Sequence, residues 1–258
     1  MTRITLSFDN GPDPSVTPAV LETLARHDIA ATFFVVGKHL ETSEGQSLMA
    51  AAHAQGHWIG NHTYTHTVSL GRMAQPAEAI AEIERTTARI GACAHPSRLF
   101  RPFGNGGILD QRLLSTAVVD HLCDNGYSCV VWNAVPRDWE NPDGWVDVAL
   151  RQTAAQGEAL LVLHDIPTGA MQRLDEFIER AKRGGCGVPP GIPGTLQTHL
   201  GGPPGAESCR VRYVLSTRRK HRRALLHGGS FDDKELAIAR PCCSASRRQG
   251  IGGPLLDA

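Results

Sequence analysis

Five stations along this chain carry side chains that could cooperate in one hydrolytic reaction. Asp9 supplies a carboxylate able to take a proton, and Asn10 beside it offers an amide oxygen. His62 and His66 stand four residues apart, so on one helical turn both imidazoles would face the same way and share a metal ion. Zinc also accepts oxygen, so Asp9 or its neighbour could supply a third ligand. Arg101 could orient a carboxylate; Asp138, followed by Trp139, could tune a histidine and wall a pocket. His164 has an ordinary pKa of about 6.5, which suits general-acid work. Each station also has a plainer reading. Asp-Asn-Gly-Pro is turn chemistry, and a pair of histidines at this spacing arises by coincidence in a chain with 12 of them. Arg101 could form a surface ion pair, Asp138 anchor a loop, and His164 be a satisfied core imidazole.

What joins the stations is their position on the elements. Ile4, Leu6 and Phe8 alternate as a first strand, so Asp9 and Asn10 fall where that strand ends. Ser15-Val16-Thr17-Pro18 reads as a helix start with a hydroxyl cap and an early proline, opening a helix over 16–27. Ala31–Val36 has the apolar content of a buried parallel strand. A helix over 47–54 leads to a strand at 58–60, which ends at Asn61-His62-Thr63-Tyr64-Thr65-His66. Residues 76–90 form an amphipathic helix, with Ala79, Ile80 and Ile83 inward and Glu82, Glu84, Arg85 and Arg89 outward. Strands at 99–103, 128–132 and 159–164 alternate with helices at 111–125, 145–155 and 170–183. Such β-α alternation predicts parallel strands with crossover helices, as a barrel of about seven units or an open doubly wound sheet. In either case active sites gather at the C-terminal ends of the strands, where all five stations lie.

Composition bounds the rest. The 258 residues balance 26 Lys and Arg against 26 Asp and Glu, which points to neither nucleic acid nor membrane as partner. No run approaches the ~18 apolar residues of a spanning helix. The first strand begins almost at Met1, which leads us to expect a cytoplasmic protein. Seven cysteines include no CxxC pair, so a thiolate zinc site has no support. At Gly184 the character changes. Residues 184–258 hold 13 of the 27 glycines and 7 of the 16 prolines, and carry 11 Lys and Arg against 5 Asp and Glu. We therefore divide the chain into a folded domain over 1–183 and a poorly structured basic tail over 184–258. The run Arg218–Arg223 in that tail lacks the interleaved aromatics of a nucleic-acid binder and reads as a solvated segment.

Taken together and in this order, Ser7-Phe8-Asp9-Asn10-Gly11-Pro12, His62-Thr63-Tyr64-Thr65-His66, Arg101-Pro102-Phe103-Gly104, Asp138-Trp139 and Leu161-Val162-Leu163-His164 resemble the signature of the polysaccharide deacetylases, the NodB-homology carbohydrate esterases. Ala30–Gly37 (AATFFVVG) supports the likeness, which extends over residues 3–183. It implies an irregular (β/α)7 barrel and a metal-dependent hydrolase that removes N-acetyl groups from an amino sugar or oligosaccharide.

By the same resemblance Asp9 would act as general base, held by Arg101. His62, His66 and Asn10 would ligate zinc or another divalent ion. His164, steered by Asp138, would protonate the departing amine. Phe103 and Gly104 would contact substrate, with the Gly104 N–H facing the oxyanion, and Trp139 and Leu163 would line the acetyl pocket. Three positions depart from the family pattern. Asn10 stands where most members carry Asp, and a neutral amide oxygen is the weaker ligand, so zinc is expected to bind weakly. Gly104 replaces an aromatic, thinning the wall over the sugar. Gly184-Gly185-Cys186-Gly187 and Pro189-Pro190 interrupt the place of a last strand, which would leave the sheet an unpaired edge. Two other functions fit the same residues: hydrolysis of a C–N bond without metal, as in allantoinase-like relatives, and saccharide binding without catalysis. Oligomeric state has no signature in the sequence.

Overall fold

The computed structural model describes residues 2–104 and 108–189, together with the backbone of Gln197–His199. Seven strands form one sheet: β1 (Arg3–Asp9), β2 (Thr32–Val35), β3 (Trp58–Asn61), β4 (Leu99–Phe100), β5 (Ser128–Val130), β6 (Glu158–His164) and β7 (Gln197–His199). Their order is β6-β1-β2-β3-β4-β5-β7. The first six run parallel to one another in a curled sheet. Beyond β5, the Ala134 N–H donates to Leu160 O at 3.3 Å and the Val162 N–H donates to Ala134 O at 3.0 Å, stitching that segment to β6. This is an irregular β/α barrel, and the open doubly wound alternative is set aside. Among the described residues no helix is long and apolar enough to cross a membrane.

Among the described residues six α-helices connect or cover the strands: α1 (Thr17–Arg26), α2 (Ser43–Ala54), α3 (Pro76–Ile90), α4 (Thr116–Asp124), α5 (Trp145–Ala154) and α6 (Leu174–Arg183). The central residues of the strands are buried on both faces, as a parallel sheet covered by helices requires. On the outer face Ile4, Leu6, Phe8, Leu161 and Leu163 join a cluster that includes Val20, Leu24, Phe177 and Ile178 of α1 and α6. A second cluster brings Ala79 and Ile83 of α3 against Val118 and Leu122 of α4, with Phe100 and Cys129 beneath. The barrel interior is filled by Phe34, Leu99, Val130, Val131 and Leu160. Above this apolar floor the inward positions of β1 and β6 become Ser7, Asp9 and His164.

Several elements differ from the sequence reading. The seventh strand runs antiparallel, with Cys129 opposite Thr198, so β7 covers the edge that the Gly-Pro segment was expected to leave bare. Just before it Gly187 bridges Arg3, through Ile4 N–H to Gly187 O at 2.8 Å. The rest of the tail, including Arg218–Arg223, lies outside the described residues. The expected hydroxyl cap of α1 is absent: Val16 is the N-cap, and Thr17 Oγ1 instead donates to Asp165 Oδ2 at 2.6 Å. α2 starts four residues early because Thr42 Oγ1 accepts the Gly45 N–H. α4 starts five residues late, since Asp110 Oδ1 accepts the Arg112 and Leu113 N–H groups and holds that stretch as a turn. β4 stops at Phe100, two residues ahead of Pro102. Glu82, placed outward by the helical pattern of α3, is buried.

Candidate active site

The site begins with a strand register. In the β1–β6 pair Asp9 lies opposite His164, and Phe8 opposite Leu163. Side chains alternate along a strand, so Asp9 and His164 point into the barrel while Phe8 and Leu163 point to the helices. Leu163 is accordingly a wholly buried member of the outer core. The expectation that it lines the acetyl pocket does not hold, because one step along the strand reverses the face.

Arg101 enters from the end of β4 and is completely buried. Its Nη1 donates to Asp9 Oδ1 at 2.6 Å and to Ser7 Oγ at 2.9 Å, while Ser7 Oγ donates to Leu161 O at 2.9 Å. Among the described residues Nε and Nη2 have no hydrogen-bond partner, but the guanidinium carbon lies 4.0 Å from the Phe34 ring centre and 5.6 Å from that of Trp132. The aromatic faces offset part of the cost of burying the cation. Burial pushes the Asp9 carboxyl upward in pKa, but the charges of Arg101, His62 and His164 and the Arg101 hydrogen bond outweigh it, leaving Asp9 below the usual carboxylate range. Asp9 is therefore an ionised base at neutral pH.

His62 and His66 lie on a loop. Both Thr63 (φ 69°) and His66 (φ 53°) are left-handed, so the helical turn inferred from the spacing does not form. The loop still brings the rings together, with centroids 4.9 Å apart. His62 Nδ1 lies 2.8 Å from Arg101 O; a carbonyl only accepts, so Nδ1 carries the proton and Nε2 keeps its lone pair. Burial, ahead of the opposing Asp9 charge, lowers the His62 pKa and keeps the ring neutral. Burial and the His62 charge pull His66 down to about 3. The His62 Nε2 lone pair thus faces Asp9 Oδ2 across 3.6 Å, an arrangement that a cation nearby would relieve.

Asn10 completes this side. Its φ of 75° is left-handed, a conformation asparagine tolerates, and its Oδ1 is buried without a hydrogen-bond partner among the described residues. A buried amide oxygen left bare is unusual and fits a ligand role. His62, His66 and Asn10 therefore suit a divalent ion: two neutral imidazoles, one with its tautomer fixed by a backbone carbonyl, and one orphaned oxygen. Among the described residues no cluster of three or more His, Cys, Asp or Glu side chains is placed to hold a metal.

The opposite side holds His164. Asp138, fully buried, accepts the His164 N–H at Oδ2 (3.0 Å) and pairs with His164 Nδ1 at Oδ1 (2.9 Å). Burial works against a charged ring, but the Asp138 hydrogen bond and the charges of Asp138, Asp9 and Asp165 raise the His164 pKa above its ordinary value. Trp139, more than one-third exposed, stands edge-on to His164 with centroids 4.6 Å apart. Phe103 lies over His66 at 3.8 Å between ring centroids. Gly104 has φ 93°, and a Cβ there would come within 2.4 Å of Ser69 Oγ, so the aromatic of the family pattern has no room at this backbone.

Three contributors escaped the sequence reading. Ser7 holds Arg101, yet sits in the signature beside Asp9 and could have been found there. Asp165 adjoins His164, and burial pushes its carboxyl up to about 7 despite the Thr17 hydrogen bond. Glu82 had no signal beyond its place on the helix after the histidine loop.

Comparison with known proteins agrees with this geometry. The family described as "Polysaccharide deacetylase" matches residues 2–117. A chitooligosaccharide deacetylase of Bradyrhizobium sp. (strain ANU 289) is 36% identical over 62% of this chain and 69% of its own length. One from Rhizobium leguminosarum bv. trifolii is 36% identical over 63% and 71%. Among solved structures, a family 4 carbohydrate esterase from Streptomyces lividans superposes with TM-score 0.61 at 26% identity, covering 76% of this chain and 96% of that one. The peptidoglycan deacetylase PdaC from Bacillus subtilis gives 0.59 at 28% identity, covering 73% and 87%.

Proposed function

The chain belongs to the polysaccharide deacetylase family, and from that membership and its site we propose that it hydrolyses the N-acetyl group of an amino sugar or oligosaccharide. His62, His66 and Asn10 would hold a divalent ion, zinc by its ligand types, and bind it weakly for want of a third charge. When bound, such an ion polarises a carbonyl and eases deprotonation of water. The chain's own residues divide the proton work. Asp9, held ionised and aimed by Arg101, takes a proton from the attacking water. His164 keeps a proton because Asp138 accepts from Nδ1, and it delivers one from Nε2 to the departing nitrogen. The Gly104 N–H is the candidate oxyanion donor, and Trp139 and Phe103 wall the mouth from opposite sides.

The observation that carries this reading is the opposed pair in one inward-facing register: a base kept charged by Arg101 directly across from an acid kept protonated by Asp138. Groups whose surroundings drive their pKa values apart mark acid and base assignments. The test is acetate release from N-acetyl-chitooligosaccharides, with and without chelator. Wild type is expected to release acetate, faster with added zinc, and Asp9→Asn to lose turnover by about 10²–10⁴-fold. Turnover indifferent to chelator would favour the metal-free amide hydrolase. No acetate from wild type under any metal would leave saccharide binding alone.

A further inference from the structure

The loop between the two histidines is held in a conformation it would not adopt by itself. Thr63 is β-branched and left-handed, and His66 is left-handed too. Such residues persist only where their surroundings over-determine them. Here the surroundings are α3. Asn61 Nδ2 donates to Ile83 O at 2.8 Å and to Thr87 Oγ1 at 2.9 Å, while Asn61 Oδ1 accepts the Thr63 N–H at 2.9 Å. Glu82 takes the other end. Its Oε2 accepts the Tyr64 N–H at 3.0 Å, the Thr65 N–H at 2.7 Å and the Thr65 hydroxyl at 3.0 Å. Glu82 is only 8% exposed and, among the described residues, forms no ion pair. A carboxylate is costly to bury unless donors meet its charge, and every donor here comes from the segment between His62 and His66. Next to it the Arg85 guanidinium lies 3.6 Å from the centre of the Tyr64 ring, whose hydroxyl bonds Glu41 Oε1.

We infer that Glu82 is a positioning residue for the His62–His66 pair: its carboxylate clamps the intervening backbone so that the two imidazoles converge. It acts through the loop and touches neither ion nor substrate, and the inference rests on reading that pair as metal ligands. An apolar face would cover the sheet equally well at this position; the acceptor serves the loop.

The test uses the full chain as wild type, Glu82→Ala and Glu82→Gln, with two readouts: zinc affinity by calorimetric competition, and amide hydrogen exchange. In wild type the Tyr64 and Thr65 amides should be protected. In Glu82→Ala that protection should vanish while β3 and α3 keep theirs, and zinc should bind about 10- to 100-fold more weakly, the scale set by loss of partners beyond the ligands. Glu82→Gln, which keeps an acceptor oxygen, should recover part of both. Unchanged zinc affinity in a folded Glu82→Ala, or unchanged protection of both amides, would overturn the inference. If Glu82→Ala does not fold, Glu82→Asp decides: one methylene shorter, it should lose affinity and protection, and wild-type values would refute the clamp. A wild type that takes up no zinc would sink the metal reading alone, because the exchange arm judges the clamp without metal.

Discussion

Asp138 meets His164 twice, at the backbone N–H and at Nδ1, so it sets both where the ring stands and which nitrogen carries the labile proton. Asp138→Asn should therefore do more than lower the rate. The His164 pKa is raised by Asp138, so the protonated acid persists to higher pH and the alkaline limb of a rate profile lies above the ordinary imidazole value. With Asn in place, that limb should move toward acid and turnover drop about 10²–10⁴-fold, the usual share of a general acid; kcat against pH for both proteins checks it. Asn10 makes a complementary case. Asn10→Asp adds a ligand charge, and ligand charge tunes metal affinity over decades. Zinc should bind at least about tenfold tighter by calorimetry. Without metal the same change sets a second carboxylate beside Asp9, so the metal-free variant should melt below wild type.

At the scale of elements, the loop after β1 is shaped by what lies behind it. A Cβ on Gly11 would fall 2.1 Å from Asp165 Oδ2, the atom that accepts the Thr17 hydroxyl at the start of α1. Gly11→Ala must displace this buried contact and with it the Asp9–Asn10 turn. It should cost about 1–3 kcal/mol of stability by denaturant unfolding, typical of overpacking, and weaken zinc binding as well. The elements also show where the sequence was readable. β-α alternation and the breaks after each strand put Asp9, His62, Arg101 and His164 at strand ends, where the structure has them, because a parallel sheet puts every strand's C-terminus at one end; Asp138 lies well past the end of β5. The histidine loop was misread as helical because the i, i+4 spacing is also met by a turn with two left-handed residues. Leu163 entered through the resemblance alone, which gives a place in a motif but not a face, and strand alternation sends it to the face opposite His164. β7 was unreadable: three residues, Gln197–His199, carry no periodicity, and what makes them a strand is the free edge of β5.

Over the whole molecule, the barrel interior is apolar below and charged above, and Arg101 joins the two levels by tying β4 to Asp9 and, through Ser7, to β6. Such a centre makes stability depend on pH. His57, His62, His66 and His95 are each held below their ordinary value by burial. An unfolded chain takes up protons at these positions once pH falls below about 6.5, while the folded chain does not until lower pH, so stability declines as pH falls through that window. His164 and Asp165 act oppositely: both are raised, Asp165 to about 7, so each contributes stability at lower pH that is lost as pH rises through its folded value. With four histidines against these two groups, the metal-free protein should melt at lower temperature at pH 5 than at pH 7, and replacing His62 and His66 by Asn should flatten that slope in calorimetric scans. Two hydrogen bonds through Ala134 join the segment after β5 to β6. Asp138 comes four residues after Ala134 on one bank of that joint, and His164 stands on the other, firmly paired with β1. The Asp138–His164 pair thus spans the gap between these two segments. Any widening there, by a bulky sugar or by heat, would part carboxylate from imidazole, and the molecule would feel that opening as a loss of proton affinity at His164.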